Sequence, residues 1–216
     1  MKRLLILVSL LVSFTLCNAE PAFIAGKDYT IIENLPSLGE SIKPGTVIVK
    51  EFFSYGCPWC YRLEKDLAKW HKALPKIVDF RRIPVIFESG WDVYAKAYYA
   101  ADILGIDKSL SHDIFNEVQV KKKRLDTNEA MIAFFIKHGI SEKIAKSAFL
   151  SSPTIDEKVQ AGISQMQMLQ INSVPNFVIN NHYKVDIAMS DGDIDKLFRV
   201  IGFLIAKELI SSMQKV

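Results

Sequence analysis

Val47 Ile48 Val49 Lys50 Glu51 Phe52 Phe53 Ser54 Tyr55 Gly56 Cys57 Pro58 Trp59 Cys60 is an apolar run that ends on two cysteines. Its β-branched and aromatic residues predict a strand over 47–53. Beyond the cysteines, Leu63, Leu67 and Trp70 recur on one face of a helical repeat with charges between them, so a helix begins at the pair. Cys57 then stands at a helix N-terminus, where unpaired backbone N–H groups and the helix dipole favour a thiolate. Pro58 suits the first helical turn because it has no N–H to lose.

This placement points to thiol and disulfide chemistry. A thiol of pKa ~8.5 is about 3% ionised at pH 7, and lowering the pKa to ~7 makes it about half ionised. Cys60, one turn further on and shielded by helix backbone, fits the resolving thiol, while Cys57 attacks or is attacked. Two blander readings compete. A zinc site needs further ligands, but the remaining cysteine is Cys17, and His71, His112, His138 and His182 lack paired ligand spacing. A purely structural disulfide between Cys57 and Cys60 closes a loop too short to stabilise much through chain entropy.

Residues 1–19 read as a secretory signal: Lys2 and Arg3, an apolar stretch from Leu4 to Leu16, then Cys17 Asn18 Ala19 before a cut that starts the mature chain at Glu20. Cys17 after the apolar run also permits acylation as a lipoprotein, and an uncleaved anchor is a further alternative. Cleavage leaves Cys57 and Cys60 as the pair in an exported protein, too few cysteines for a disulfide-built scaffold. Loss of Lys2 and Arg3 lowers the formal charge from +3 to +1, which gives no electrostatic case for nucleic acid. Lys121 Lys122 Lys123 Arg124 reads as a solvated helix end rather than a docking patch. The remaining 197 residues suffice for a well-filled domain with an insertion. Leu197 to Lys207 is apolar, but Arg199, Lys207 and Glu208 interrupt it, so it suits a helix packed on a sheet.

A second strand is predicted over 78–87, with Pro84 arguing for an edge position or a bulge. From Trp91 to about Gln170 the pattern is helical, with Thr127 as a cap, Ser141 and Glu142 opening one helix and Pro153 another. Strand signals return at Pro175 to Ile179 and Tyr183 to Ile187, separated by Asn180 Asn181 His182, before a last helix from Asp193 to Met213. The order is a strand and helix framework split by one helical excursion of roughly 80 residues.

The signal-like leader, Glu51 to Cys60, the helical insert, and Ser173 Val174 Pro175 Asn176 Phe177 before a hairpin together resemble the DsbA family of periplasmic thiol oxidoreductases, over essentially the whole mature chain. The resemblance implies an α/β thioredoxin fold with an inserted helical domain: residues 20–88 and 172–216 thioredoxin-like, 89–171 the insert. It implies a disulfide donor for reduced or unfolded exported proteins, periplasmic, regenerated by a DsbB-like quinone-coupled membrane oxidase. Thiol–disulfide exchange needs no metal or organic cofactor. A monomer is expected; separately, only about 25 residues lie between Ala19 and the first predicted strand, little room for the extra N-terminal domain that dimeric isomerases of this type use.

By the same resemblance, Val174 and Pro175 match a cis-proline loop facing the cysteines, where backbone and the Pro58 and Trp59 side chains would meet an extended substrate. Glu51 matches an acid buried beneath the active site and is a candidate proton relay to Cys60, with Arg82 or Arg81 as its basic partner. From alternation alone, Glu51 is equally compatible with a solvated strand face. Trp59 departs from the histidine of the best-known members; an indole gives the thiolate little charge stabilisation, which predicts a weaker oxidant. The motif leaves open an exported reductase or isomerase using the same residues, and a substrate-binding chaperone with CxxC as a structural staple.

Overall fold

The computed structural model describes residues 23–33, 43 and 45–214. The expected leader 1–19, with Cys17 and the cut before Glu20, lies outside the described residues.

Five strands are formed among the described residues: β1 (Thr30–Ile31), β2 (Val47–Phe53), β3 (Val78–Pro84), β4 (Asn176–Ile179) and β5 (Tyr183–Asp186), ordered β1-β5-β4-β2-β3 in one sheet. β2 runs parallel to β3 and antiparallel to β4, and β5 is antiparallel to both β4 and β1. Every residue of β2 is buried, including Lys50 and Glu51, as expected of a central strand covered on both faces. β3 lies at the sheet edge and ends at Pro84, which has no N–H for another strand. The sequence had extended this strand to Phe87. Val85 still donates to the Phe53 carbonyl at 2.8 Å, but the chain then leaves the sheet.

One face of the sheet is covered by α1 (Pro58–Ala73) and α7 (Ile194–Met213). Leu63, Leu67, Leu197, Val200, Ile201 and Leu204 pack there against Val47, Val49, Phe177 and Val185. Asp193 caps α7 by accepting from the Lys196 N–H at 2.9 Å. The apolar run in α7 is therefore spent on the core; among the described residues no helix is long and apolar enough to cross a membrane.

The chain between β3 and β4 builds α2 (Trp91–Ile103), α3 (Asp107–Phe115), α4 (Asn128–Lys137), α5 (Glu142–Leu150) and α6 (Pro153–Met168). Thr127 caps α4, Ser141 caps α5 and Ser152 caps α6 immediately before Pro153, so the sequence starts of these helices match their hydroxyl acceptors. These helices share a second apolar core with Phe52, Phe53, Ile83 and Val178. α3 runs on into a π-helical turn, Asn116–Val120, which the apolar periodicity does not reveal.

Candidate active site

The β2–α1 junction converts a strand into a helix over four residues. Ser54 accepts twice, its carbonyl from the Cys57 N–H at 3.1 Å and its hydroxyl from the Gly56 N–H at 3.1 Å. Cys57 is the N-cap of α1, extended at φ −86° and ψ 118°, and Pro58 occupies the first helical position. Its sulfur accepts from the Cys60 N–H at 3.3 Å, so the thiol does what a serine or aspartate does at other helix starts. Both cysteines are free thiols here, with Cys60 fully buried and Cys57 slightly exposed.

That geometry separates the two thiols. The hydrogen bond from the Cys60 side chain, then the backbone N–H groups of Cys60 and Trp59, lower the Cys57 pKa to about 7, against opposition from burial and the Glu88 charge. Cys60 is pushed well above its ordinary value by burial first, and then by donating to Cys57 and by the nearby Cys57 and Glu51 charges. At neutral pH one sulfur is about half thiolate while its neighbour keeps its proton.

Val174–Pro175 is a cis peptide, and the Cys57 thiol donates to the Val174 carbonyl at 3.4 Å. The sequence-predicted residues Cys57, Cys60, Pro58, Val174 and Pro175 are therefore brought together at one end of the sheet. Trp59 is exposed beside them; Arg62 lies over its ring at 4.6 Å, and a Cβ on Gly192 would sit 3.5 Å from its edge.

Glu51 lies beneath the pair and is fully buried, which decides between the two positions that alternation allowed. Arg82 pairs with it directly in the β2–β3 register, donating from Nε to Oε2 at 2.6 Å and from Nη2 to Oε1 at 3.4 Å. Arg81 points to the other face and pairs with Asp79 at 2.6 Å. Arg82 also reaches Glu64 of α1 at 2.5 Å and stacks 3.9 Å over Phe53. Burial raises the Glu51 pKa to about 7 even though Arg82 opposes the shift.

Sequence reading missed the supports of this junction. Glu64 is one helical turn past Cys60, a spacing that places it on the Cys60 side of α1, and this was the available signal. Glu88, Ser111, Gln119 and Trp91 come from elsewhere in the chain, and no local pattern connects them to the cysteines.

A thioredoxin family model matches residues 38–198. The chain is 32% identical over 208 residues to the thiol:disulfide interchange protein DsbA of Burkholderia cepacia, covering 95% of this chain and 96% of that protein. It is 31% identical to the DsbA of Azotobacter vinelandii over 85% of this chain and 83% of that one. The crystal structure of Pseudomonas aeruginosa DsbA superposes with a TM-score of 0.81 at 27% identity, covering 88% of this chain and 97% of that chain. With its α/β sheet and helical insertion between β3 and β4, this chain belongs to the thioredoxin-like DsbA family of protein thiol:disulfide oxidoreductases.

Proposed function

We propose that the chain donates the Cys57–Cys60 disulfide to reduced proteins exported to the periplasm. The observation that carries this reading is the asymmetry of the pair: a sulfur capped as a thiolate beside one held as a thiol. In the oxidised protein, a substrate thiolate attacks Cys57 Sγ; the S–S bond breaks and Cys60 leaves, taking up a proton as it is buried. A second substrate thiolate then attacks the substrate sulfur of the mixed disulfide, and Cys57 leaves as the stabilised thiolate. The two substrate thiols lose two electrons and the Cys57–Cys60 pair gains them. Glu51, with a pKa near neutrality and a charge felt by Cys60, suits a relay for the Cys60 proton.

The family and the leader in the sequence support export, with 20–88 and 172–216 as the thioredoxin-like part and 89–171 as the insert. Val174, Pro175, Pro58 and Trp59 form the surface an extended client would meet. Reoxidation falls to a DsbB-like quinone-coupled membrane oxidase, and the enzyme works as a monomer. Oxidation of a reduced, unfolded ribonuclease, followed by its regained activity, tests the direction. The oxidised protein restores activity and Cys57→Ala does not; Cys60→Ala, with Cys57 first converted to a mixed disulfide by oxidised glutathione, exchanges glutathione for a client thiolate and holds the client on Cys57. A Cys57→Ala variant that works as well as the parent would favour the chaperone alternative.

A further inference from the structure

The residues just before Cys57 are held from the helical insertion at three points. Gln119 donates from Nε2 to the Tyr55 carbonyl at 2.7 Å, in a buried setting. The Tyr55 hydroxyl shares a 2.6 Å hydrogen bond with Ser111, and its ring meets Phe115 edge-on at 4.8 Å. Gly56 lies against the Trp91 indole so closely that a Cβ there would overlap the ring.

Gln119 reaches Tyr55 from the π-helical turn. After Phe115 this turn buries Glu117 and Gln119 and leaves Val120 54% exposed, the reverse of what apolar burial alone would choose. It is pinned by the bond from the Lys121 N–H to the Asn116 carbonyl at 3.0 Å. Lys121 and Lys123 also clamp Glu117, each at 2.6 Å. Widened turns of this kind recur where a helix must aim a side chain at a functional site.

We propose that Gln119 is a positioning residue for the exchange: its amide holds the Tyr55 carbonyl, and so fixes the backbone that presents Cys57 at the head of α1. This rests on the reading of Cys57 as the exchanging thiol. The Tyr55 carbonyl is two residues from the capping sulfur, and Cys57 N–H is bonded to Ser54, so the loop 54–57 moves as one short unit. Freed from Gln119, that unit loses the registry between Cys57 Sγ and the Cys60 N–H on which the thiolate depends.

The test is the pH profile of iodoacetamide alkylation of the reduced full-length protein, read at Cys57 by mass spectrometry, with a thermal melt for each variant. In Gln119→Met, which keeps the length and loses the donor, the midpoint rises by about half a pH unit and alkylation at pH 6 slows about threefold. Val120→Ala on the same turn leaves the midpoint where it was. Should Gln119→Met not fold, Gln119→Asn, too short to reach the carbonyl, is read in the same way. A folded Gln119 variant with the parent midpoint overturns the positioning role. A parent midpoint at the value of an ordinary thiol instead overturns the reading of Cys57 on which it rests.

Discussion

Arg82 Nε lies 2.6 Å from Glu51 Oε2 across two parallel strands, in positions that pair directly in register. The carboxylate is fully buried, so the guanidinium is what makes its charge tolerable beneath the cysteines. Arg82→Met leaves Glu51 to be neutralised by a proton or unpaired, and also frees Glu64. Urea unfolding at pH 7 is expected to give a loss of about 3–5 kcal/mol. A change under 1 kcal/mol would mean that the pair contributes little beyond its own desolvation cost.

Glu51 also makes stability depend on pH in an unusual direction for a carboxylate. Its pKa in the fold is about 7, above the ordinary 4.5, so the native state holds a proton that the unfolded chain releases. Its contribution is complete below pH 4.5 and is lost as pH rises to about 7. Denaturation midpoints from pH 4.5 to 7 should fall more steeply in the parent than in Glu51→Gln, which has no proton to lose. Parallel profiles would show that Glu51 titrates outside this window.

On the proposed reading, the side chain between Pro58 and Cys60 is expected to tune the thiolate. Trp59 sets an aromatic face beside Cys57, with Arg62 stacked on it, and contributes no charge of its own. Trp59→His is expected to lower the Cys57 alkylation midpoint and to make the disulfide more oxidising, because a protonated imidazole favours the thiolate. Glu88 acts in the opposite sense, so Glu88→Gln should move the same midpoint down by a few tenths of a unit. The pH profile of Cys57 alkylation reports both shifts, and an upward shift in either variant contradicts the electrostatic assignment.

Gly56 marks where the insertion presses on the active-site turn. A methyl group at this position overlaps the Trp91 indole, a rigid ring within the core rather than a flexible side-chain end. Gly56→Ala should therefore cost about 1–3 kcal/mol in chemical denaturation. A variant as stable as the parent would show that the turn and α2 separate freely.

Much of this architecture was legible in the chain because its signals are local. The run Val47 to Phe53, the Cys57–Pro58 helix start, the caps at Thr127 and Ser141 and the Asn180–Asn181 turn each depend on neighbours in sequence, and each was found where expected. The depth of Glu51 was not legible, since one central strand can bury both faces while alternation counts only one. Arg81 and Arg82 are equal by spacing; only the parallel register, a long-range property, sets Arg82 opposite Glu51. Gln119 was invisible for the same reason, compounded by a π turn that breaks the helical period on which its burial would have been read.

The reduction potential of the Cys57–Cys60 pair tests the disulfide-donor reading most directly. The purified protein is equilibrated with graded ratios of reduced and oxidised glutathione, and the fraction of dithiol is followed by alkylation. The capped Cys57 thiolate stabilises the reduced form, so the pair should be more oxidising than glutathione and remain largely reduced in balanced mixtures. A potential well below that of glutathione, with the disulfide persisting against excess reduced thiol, would contradict it and favour a reductase or a structural staple.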